Sequence, residues 1–450
     1  MKQREGTPMI DRLVVRSFTD SAFIFDPVTQ NSLFIEGTVS NLVLDFLNDI
    51  NYVVPQIFWL TIPDEYLVQV REDVQHLRST IRDFLVDIEK NNRRSSQGAI
   101  LHGGVQDSPL SMLSAYAIKN WQITNVSIEM TYRCNLRCRW CYLDDYSYVG
   151  LSREELQMIA NQLKEVGVVF VLFTGGEPFI RRDIIEVMTD YKDLGFALEL
   201  KSNGLLLSRS LISELANLQL FNFQVSVYGI DDYQSQFTGM PYEFSRLAEN
   251  IREIVAQELP LSLAVLVGKH NIDDLDRYND VLLGLGVEEI FFSPYITPNR
   301  GGVGPEVDLR LSRKEMDEKF YPFLQKIDGF FLPVKYREHC RDGSACYAGR
   351  DQIAINPLGI VYPCLDFQLP LGDLRRENLD CIVERRQQLL EPYKLRRIKK
   401  CCNCQIVEYC DSCVGTALLE NGCFTEPSQH KCDVSRFYYD SYYSRKEVKR

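Results

Sequence analysis

Residues 123–141, ITNVSIEMTYRCNLRCRWC, run from a β-branched, alternating stretch into three cysteines spaced C-x3-C-x2-C, at Cys134, Cys138 and Cys141. The first part, 123–132, reads as a strand. The pattern then repeats. VVFVLFT (168–174), FALELKS (196–202), NFQVSVY (222–228), LSLAVLV (261–267) and EEIFFSPY (288–295) are further strand candidates. Apolar residues at helical spacing fill the gaps, over 152–166, 181–194, 208–219, 242–257 and 272–285. Strands alternating with helices predict an α/β fold with a parallel sheet. Six units rather than eight predict an open sheet or a partial (β/α)6 barrel, over 119–334.

Upstream, residues 1–90 hold three short strand candidates, RLVVRSF, SAFIFDP and NSLFIEG. Helical patterns follow in VSNLVLDFLNDI and DEYLVQVREDVQHLRSTIRDFLVDIEK. That order predicts a small winged-helix-like α+β domain. Residues 91–118 carry Ser, Gly, Asn and Pro without a period and predict a partly ordered linker. Beyond about residue 335, periodicity fades and Cys, Gly and Pro dominate. A loop-rich domain held by metal is expected over 335–435, then a tail over 436–450.

The 450 residues carry a net charge of −12, which argues against a general nucleic-acid or anionic-membrane binder. The longest apolar run, VGVVFVLF (166–173), is too short to span a bilayer. No secretion-signal pattern stands at the N-terminus, so a cytoplasmic location is expected. There the 14 cysteines are reduced, and clustering points to metal. None precedes Cys134, and eleven fall between Cys340 and Cys432.

Cys134, Cys138 and Cys141 follow the first strand, at the edge where parallel α/β folds place their sites. Three thiolates on a four-iron cluster leave one iron open to a chelating small molecule. TGGEP (174–178) ends the second strand, where Gly175 and Gly176 allow close backbone approach and Glu177 suits an ammonium. KSNG ends the third, with Ser202 and Asn203 suited to a ribose, and Ser226 ends the fourth, placed for a carboxylate. Amine, sugar and carboxylate beside an open iron describe S-adenosylmethionine. The competing reading of the cysteines alone is a three-ligand zinc site or buried thiols.

CNLRCRWC followed one strand later by TGGEP resembles the radical S-adenosylmethionine (radical SAM) superfamily, with Trp140 at the usual aromatic position. The resemblance implies that Cys134, Cys138 and Cys141 hold a [4Fe-4S] cluster whose open iron takes the methionyl amine and carboxylate. It assigns Gly175, Gly176, Glu177 and Pro178 to the amine, and Ser202 and Asn203 to the ribose. The later cysteines resemble the SPASM extension of these enzymes. Cys346, Gly359 and Cys364 fit its first part, Cys401, Cys404 and Cys410 its second, and Cys432 its last. By that likeness Cys340, Cys346, Cys364 and Cys413 hold one auxiliary [4Fe-4S] cluster, and Cys401, Cys404, Cys410 and Cys432 another. Cys413 follows Cys410 by two residues where the family has three, so Cys423 competes for its role. Cys381, Cys402 and, where Cys413 keeps that role, Cys423 are left as spare thiols. A zinc ribbon is the rival for the segment CCNCQIVEYCDSC.

Residues 1–90 resemble the leader-recognition domain of ribosomal-peptide maturases, which adds an extended leader to a sheet edge. The domain order is similar to that of enzymes making thioether crosslinks in sactipeptides and ranthipeptides. The resemblance implies a precursor peptide bound through its leader, an electron donor of flavodoxin or ferredoxin type, and hydrogen abstraction by a 5′-deoxyadenosyl radical. The alternatives are carbon–carbon crosslinking or epimerisation of a peptide, a sulfatase-type protein maturase, or a non-catalytic iron–sulfur electron carrier. No acid or base stands out. His76, His102, His270, His339 and His430 read as isolated surface or structural residues.

Overall fold

The computed structural model describes residues 13–18, 21–36, 40–48, 54, 67–90, 109–231, 235–241, 244–302, 304–327, 343, 345–410 and 412–448. Strands β1 (Val14–Ser17), β2 (Ser21–Phe25) and β3 (Ser32–Glu36) form an antiparallel meander. Helices α1 (Val43–Asn48) and α2 (Leu67–Lys90) follow, in the expected α+β order. The period-2 alternation of a strand explains why this sheet has two apolar faces. Ala22 and Ile24 pack with Val43, Phe46, Leu77 and Ile81 of the helices. Phe23 and Phe25 face the other way, where the Phe25 ring meets Phe221 edge-on at 5.0 Å and Phe170 at 5.6 Å. Arg16 donates from Nε to Val168 O at 2.7 Å in the same junction. Helix α3 (Pro109–Asn120), within the segment read as a linker, adds Leu113 to it. Residues 91–108 of that linker lie outside the described residues.

The main sheet places β4 (Asn125–Glu129), β5 (Phe170–Thr174), β6 (Ala197–Ser202), β7 (Asn222–Val227), β8 (Leu261–Leu266) and β9 (Glu289–Ser293) side by side in chain order. Every neighbouring pair is parallel. Among the described residues the sheet does not close, and β9 is its last strand. This is the six-unit α/β partial barrel. Helices α4 (Arg153–Glu165), α5 (Ile184–Asp193), α6 (Arg209–Asn217), α7 (Phe244–Ala256) and α8 (Leu275–Leu283) join the strands. Helix α4 shows why. Ser152 and Glu155 form a capping box at its start, and Leu156, Ile159, Ala160 and Leu163 bury one stripe. Phe170 and Phe221 stand at or just before the N-terminal ends of β5 and β7, so the N-terminal module sits beneath the barrel. The opposite, C-terminal edge is left for the site.

One feature differs from the sequence reading. The C-terminal region adds strands β10 (Gln352–Ile355), β11 (Ile360–Tyr362) and β12 (Gly372–Asp373) to the main sheet. β10 lies parallel to β4, pairing Gln352 with Asn125 and Ile355 with Ile128. Four residues are too few to show a period, and the pairing is long-range. Helices α9 (Leu379–Leu390), α10 (Val414–Asn421) and α11 (Gln429–Val448) follow, α11 running unbroken across 435–436. No helix among the described residues is long and apolar enough to cross a membrane.

Candidate functional site

The chain leaves β4 at Glu129 and enters the cysteine loop. Leu136 N donates to Cys134 Sγ at 3.4 Å, and Tyr146 hydrogen-bonds the Cys141 thiol. Arg137 N and Arg139 N donate to Thr238 O and Phe237 O at 2.6 and 2.9 Å, fixing the loop to the segment after β7. The three thiols are close enough to raise one another's pKa. Burial pushes Cys138 well above the ordinary thiol value, and Cys141 and Cys134 add to it. Burial likewise pushes Cys134 up to about 11.

The glycines of TGGEP bring backbone against this loop. Gly175 has φ +122, and a Cβ there would stand 2.4 Å from Thr131 O; at Gly176 it would stand 2.3 Å from Arg133 O. Gly176 N and Glu177 N instead donate to those two carbonyls at 2.7 and 2.9 Å. The close approach predicted from these glycines is therefore to the cysteine loop's own backbone. Pro178 is buried and begins the short turn that follows. Glu177 is fully buried and its carboxylate accepts from Ser202 Oγ (2.8 Å), Asn203 N (2.8 Å) and Phe179 N (3.2 Å). A carboxylate has about four acceptor positions, so one remains for an ammonium. The Ser202 hydroxyl donates to Glu177 and accepts from Gly204 N. Asn203 Nδ2 donates to Asn135 Oδ1 at 2.8 Å, inside the cysteine loop.

Burial raises the Glu177 carboxyl to about 7, and its three hydrogen bonds only partly offset this. A carboxyl with a raised folded pKa stabilises the fold fully below its unfolded value near 4.3, and that contribution is lost as pH rises through about 7. The loss is on the order of 3 kcal/mol. We expect urea midpoints of the iron-free chain to fall between pH 4.5 and 8 more steeply in the parent than in Glu177→Gln. Asp351, also raised to about 7 by burial, contributes equally to both and cancels in the comparison. Parallel profiles would refute the assignment.

Trp140 is buried against His270, stacked at 5.3 Å, with Tyr228 at 5.5 Å and Phe237 at 5.9 Å. Ser226 hydrogen-bonds Tyr228, whose pKa burial and the nearby Cys138 push up. His270 thus belongs to the wall of the site rather than to the surface. Burial lowers its pKa to about 4, and neither ring nitrogen has a hydrogen-bond partner among the described residues. His430 is also buried, accepting from Ile296 N and stacked on Tyr295.

Sequence reasoning missed a buried network beneath the loop. Arg300 pairs with Glu129 at 3.0 Å, and both side chains are nearly inaccessible. Tyr142 donates to Glu129 Oε1 at 2.9 Å and to Gly175 O at 3.1 Å, and Tyr132 donates to Glu129 Oε2 at 3.1 Å. Arg300 also donates to Leu365 O at 2.8 Å, next to Cys364. The available signal was a lone acid, Glu129, at the end of an apolar strand.

The later cysteines fall into two groups. Burial raises Cys364 well above the ordinary thiol value, with Asp366, Cys413 and Cys346 adding to it. Burial raises Cys432 to about 11, with Cys410 and Cys401 adding and Cys404 contributing less. The geometry therefore places Cys413, not Cys423, beside Cys364. Ser412 takes φ +36 in the shortened turn, and Cys413 Sγ accepts from Thr416 N and Oγ1 at the start of α10. Cys423 contacts Thr425, and Cys381 and Cys402 are exposed. Cys340 lies outside the described residues.

Among the described residues no three His, Cys, Asp or Glu side chains converge tightly enough to grip a single ion. A cubane cluster spaces its thiolate ligands wider than one ion does. Buried, mutually repelling thiols ionise only beside a cationic centre, and three such groups suit iron–sulfur clusters.

Comparison with known proteins agrees. Residues 128–282 match the Radical SAM superfamily, and residues 346–413 match SPASM, an iron–sulfur cluster-binding domain. The chain carries a radical SAM domain followed by a SPASM domain, and its cofactors are [4Fe-4S] clusters and S-adenosylmethionine. It is similar to an AdoMet-dependent heme synthase of Methanosarcina barkeri, 22% identical over 329 residues, covering 67% of this chain and 94% of that one. Among solved structures it resembles Streptococcus suis SuiB bound to precursor peptide SuiA, with TM-score 0.60 and 14% identity, covering 93% of this chain and 98% of that one. It also resembles anSMEcpe with bound AdoMet and Cp18Cys peptide, with TM-score 0.56 and 15% identity, covering 72% and 97%. At these identities the structural likeness is one of fold.

Proposed function

We propose that this chain is a maturase that binds a ribosomally synthesised precursor peptide through its leader and forms an intrapeptide thioether crosslink. The observation that carries this reading is the N-terminal α+β module built onto the radical SAM and SPASM domains. The fold likeness to SuiB, a structure with a precursor peptide, covers 93% of this chain, against 72% for anSMEcpe. A leader-binding enzyme uses this module, whereas a sulfatase-type maturase has little use for it.

Cys134, Cys138 and Cys141 would hold the cluster that binds S-adenosylmethionine, and the two later groups would hold auxiliary clusters, Cys340 being the family-implied fourth ligand of the first. When bound, these cofactors supply a 5′-deoxyadenosyl radical that removes hydrogen from an unactivated carbon, and an acceptor for the electrons of bond formation. The protein contributes position. Glu177 offers its remaining acceptor site to the methionyl ammonium and holds Asn203 in place beside the cysteine loop. Trp140, Tyr228 and His270 form a dry aromatic wall that keeps water from a reactive carbon centre.

The test is mass spectrometry of a candidate precursor peptide co-expressed with the chain. Each crosslink removes two hydrogens, and only peptide carrying its leader is modified. Truncating the peptide is cleaner than deleting residues 1–90, which would strip Phe23 and Phe25 from Phe170 and Phe221. Modification that ignores the leader would favour the sulfatase-type reading. Deoxyadenosine release with no mass change at any peptide would point away from crosslinking.

A further inference from the structure

We propose that Tyr295 and Thr416 form a hydroxyl relay onto Cys413 Sγ that raises the reduction potential of the auxiliary cluster Cys413 would hold; this rests on the cluster reading above. Thr416 Oγ1 donates to Cys413 Sγ at 3.1 Å, and the Tyr295 hydroxyl oxygen stands 2.6 Å from Thr416 Oγ1. Counting protons fixes the direction of the chain. A threonine hydroxyl carries one proton, and a thiolate only accepts. With that proton on the sulfur, the short contact to Tyr295 is made by the phenol O–H donating to Thr416. The phenol polarises the Thr416 hydroxyl and strengthens its bond to sulfur. Thr416 N adds a longer bond to the same sulfur, at 3.4 Å.

Both hydroxyls are held in place by packing. Thr416 is fully buried on the first turn of α10, for which Cys413 is the cap. Tyr295 lies just beyond β9, at the C-terminal edge of the barrel. His430 stacks on its ring at 5.7 Å with a 9° tilt, and Lys431 Nζ stands 4.3 Å from the ring centroid. His430 also accepts from Ile296 N at 3.2 Å, one residue on from Tyr295. These two residues of α11 directly precede Cys432. Tyr295 thus joins the barrel edge to α10 at one auxiliary group and to α11 at the other. A hydrogen bond to a cluster sulfur favours the more negative, reduced state, and so raises the potential. That suits an acceptor. When a carbon radical and a thiolate close a carbon–sulfur bond, one electron is released, and the relay stabilises the reduced state that takes it up.

The experiment is a redox titration of the full-length holoenzyme followed by electron paramagnetic resonance, with iron counted in every variant. The reduction step that disappears in Cys364→Ala/Cys413→Ala is the one to follow. In Thr416→Val its reduced-to-oxidised ratio at a fixed potential is expected to fall about tenfold, a downward shift of about 59 mV for one electron. Tyr295→Phe moves the same step in the same direction by less, since the Thr416 hydroxyl remains. Thr416→Ser, which keeps the hydroxyl, titrates like the parent. The other steps stand still, and all three variants keep about twelve irons. A step that does not move in Thr416→Val would overturn the proposal. So would no shift in Tyr295→Phe, an upward shift, or an equal shift of every step. Loss of iron from Thr416→Val would overturn it too, by making the threonine a support of the cluster. If every step survives in Cys364→Ala/Cys413→Ala, the reading of those cysteines as ligands fails and the proposal falls with it; that outcome is read from a different variant.

Discussion

Replacing Cys134, Cys138 and Cys141 together by alanine is expected to abolish 5′-deoxyadenosine release and to lower the iron content from about twelve per chain to about eight. The three thiols are neighbours on one loop, and Cys141 raises the cost of ionising each of the other two. Product chromatography checks the first part, and sulfide analysis with iron counting on anaerobically prepared protein checks the second. The auxiliary groups should respond differently. Cys364→Ala with Cys413→Ala is expected to lose about four irons yet keep deoxyadenosine release, because those side chains lie with Cys346 and apart from the 134–141 loop. Cys423→Ala is expected to keep every iron. Zinc in place of iron, or full deoxyadenosine release by the triple variant, would overturn the assignment.

Why so much of this was legible follows from the kinds of signal involved. Alternating strands and helices are local patterns, and the six strand candidates all appear within a few residues of their expected bounds. The cysteine spacings are also local, and the folded chain brings together groups that spacing and family likeness had sorted. What the sequence did not disclose is what depends on contacts between distant segments. β10 is four residues long and acquires its meaning only beside β4. Ser202 reads as a free hydroxyl until the turn after β5 delivers the Glu177 carboxylate to it. His270 reads as isolated because its neighbours, Trp140 and Phe237, come from other loops. Arg300 belongs to no motif, yet it joins the end of β4 to the residue beside Cys364.

That last link yields the second large effect. Arg300→Met is expected to destabilise the folded chain by about 3–5 kcal/mol, read as a fall in the urea midpoint. Glu129 is 2% exposed, and among the described residues its carboxylate is held by Arg300 and the hydroxyls of Tyr132 and Tyr142. Removing the guanidinium leaves a buried charge uncompensated, and the two hydroxyls cannot neutralise it. The Arg300 side also loses its stacking, with the guanidinium carbon 4.6 Å from the Tyr142 ring centroid and 5.7 Å from that of Tyr132. Burial alone would lower the Arg300 pKa, but Glu129 and the tyrosines outweigh it and push the value up, so the guanidinium stays charged across the working pH range. Glu129→Gln should cost a similar amount for the mirror-image reason. The double variant Glu129→Gln/Arg300→Met should cost clearly less than the two single changes summed, because each single change strands the other's charge. Strict additivity in that cycle would mean that Glu129 and Arg300 act independently, and that the strut from β4 to Leu365 is not a unit.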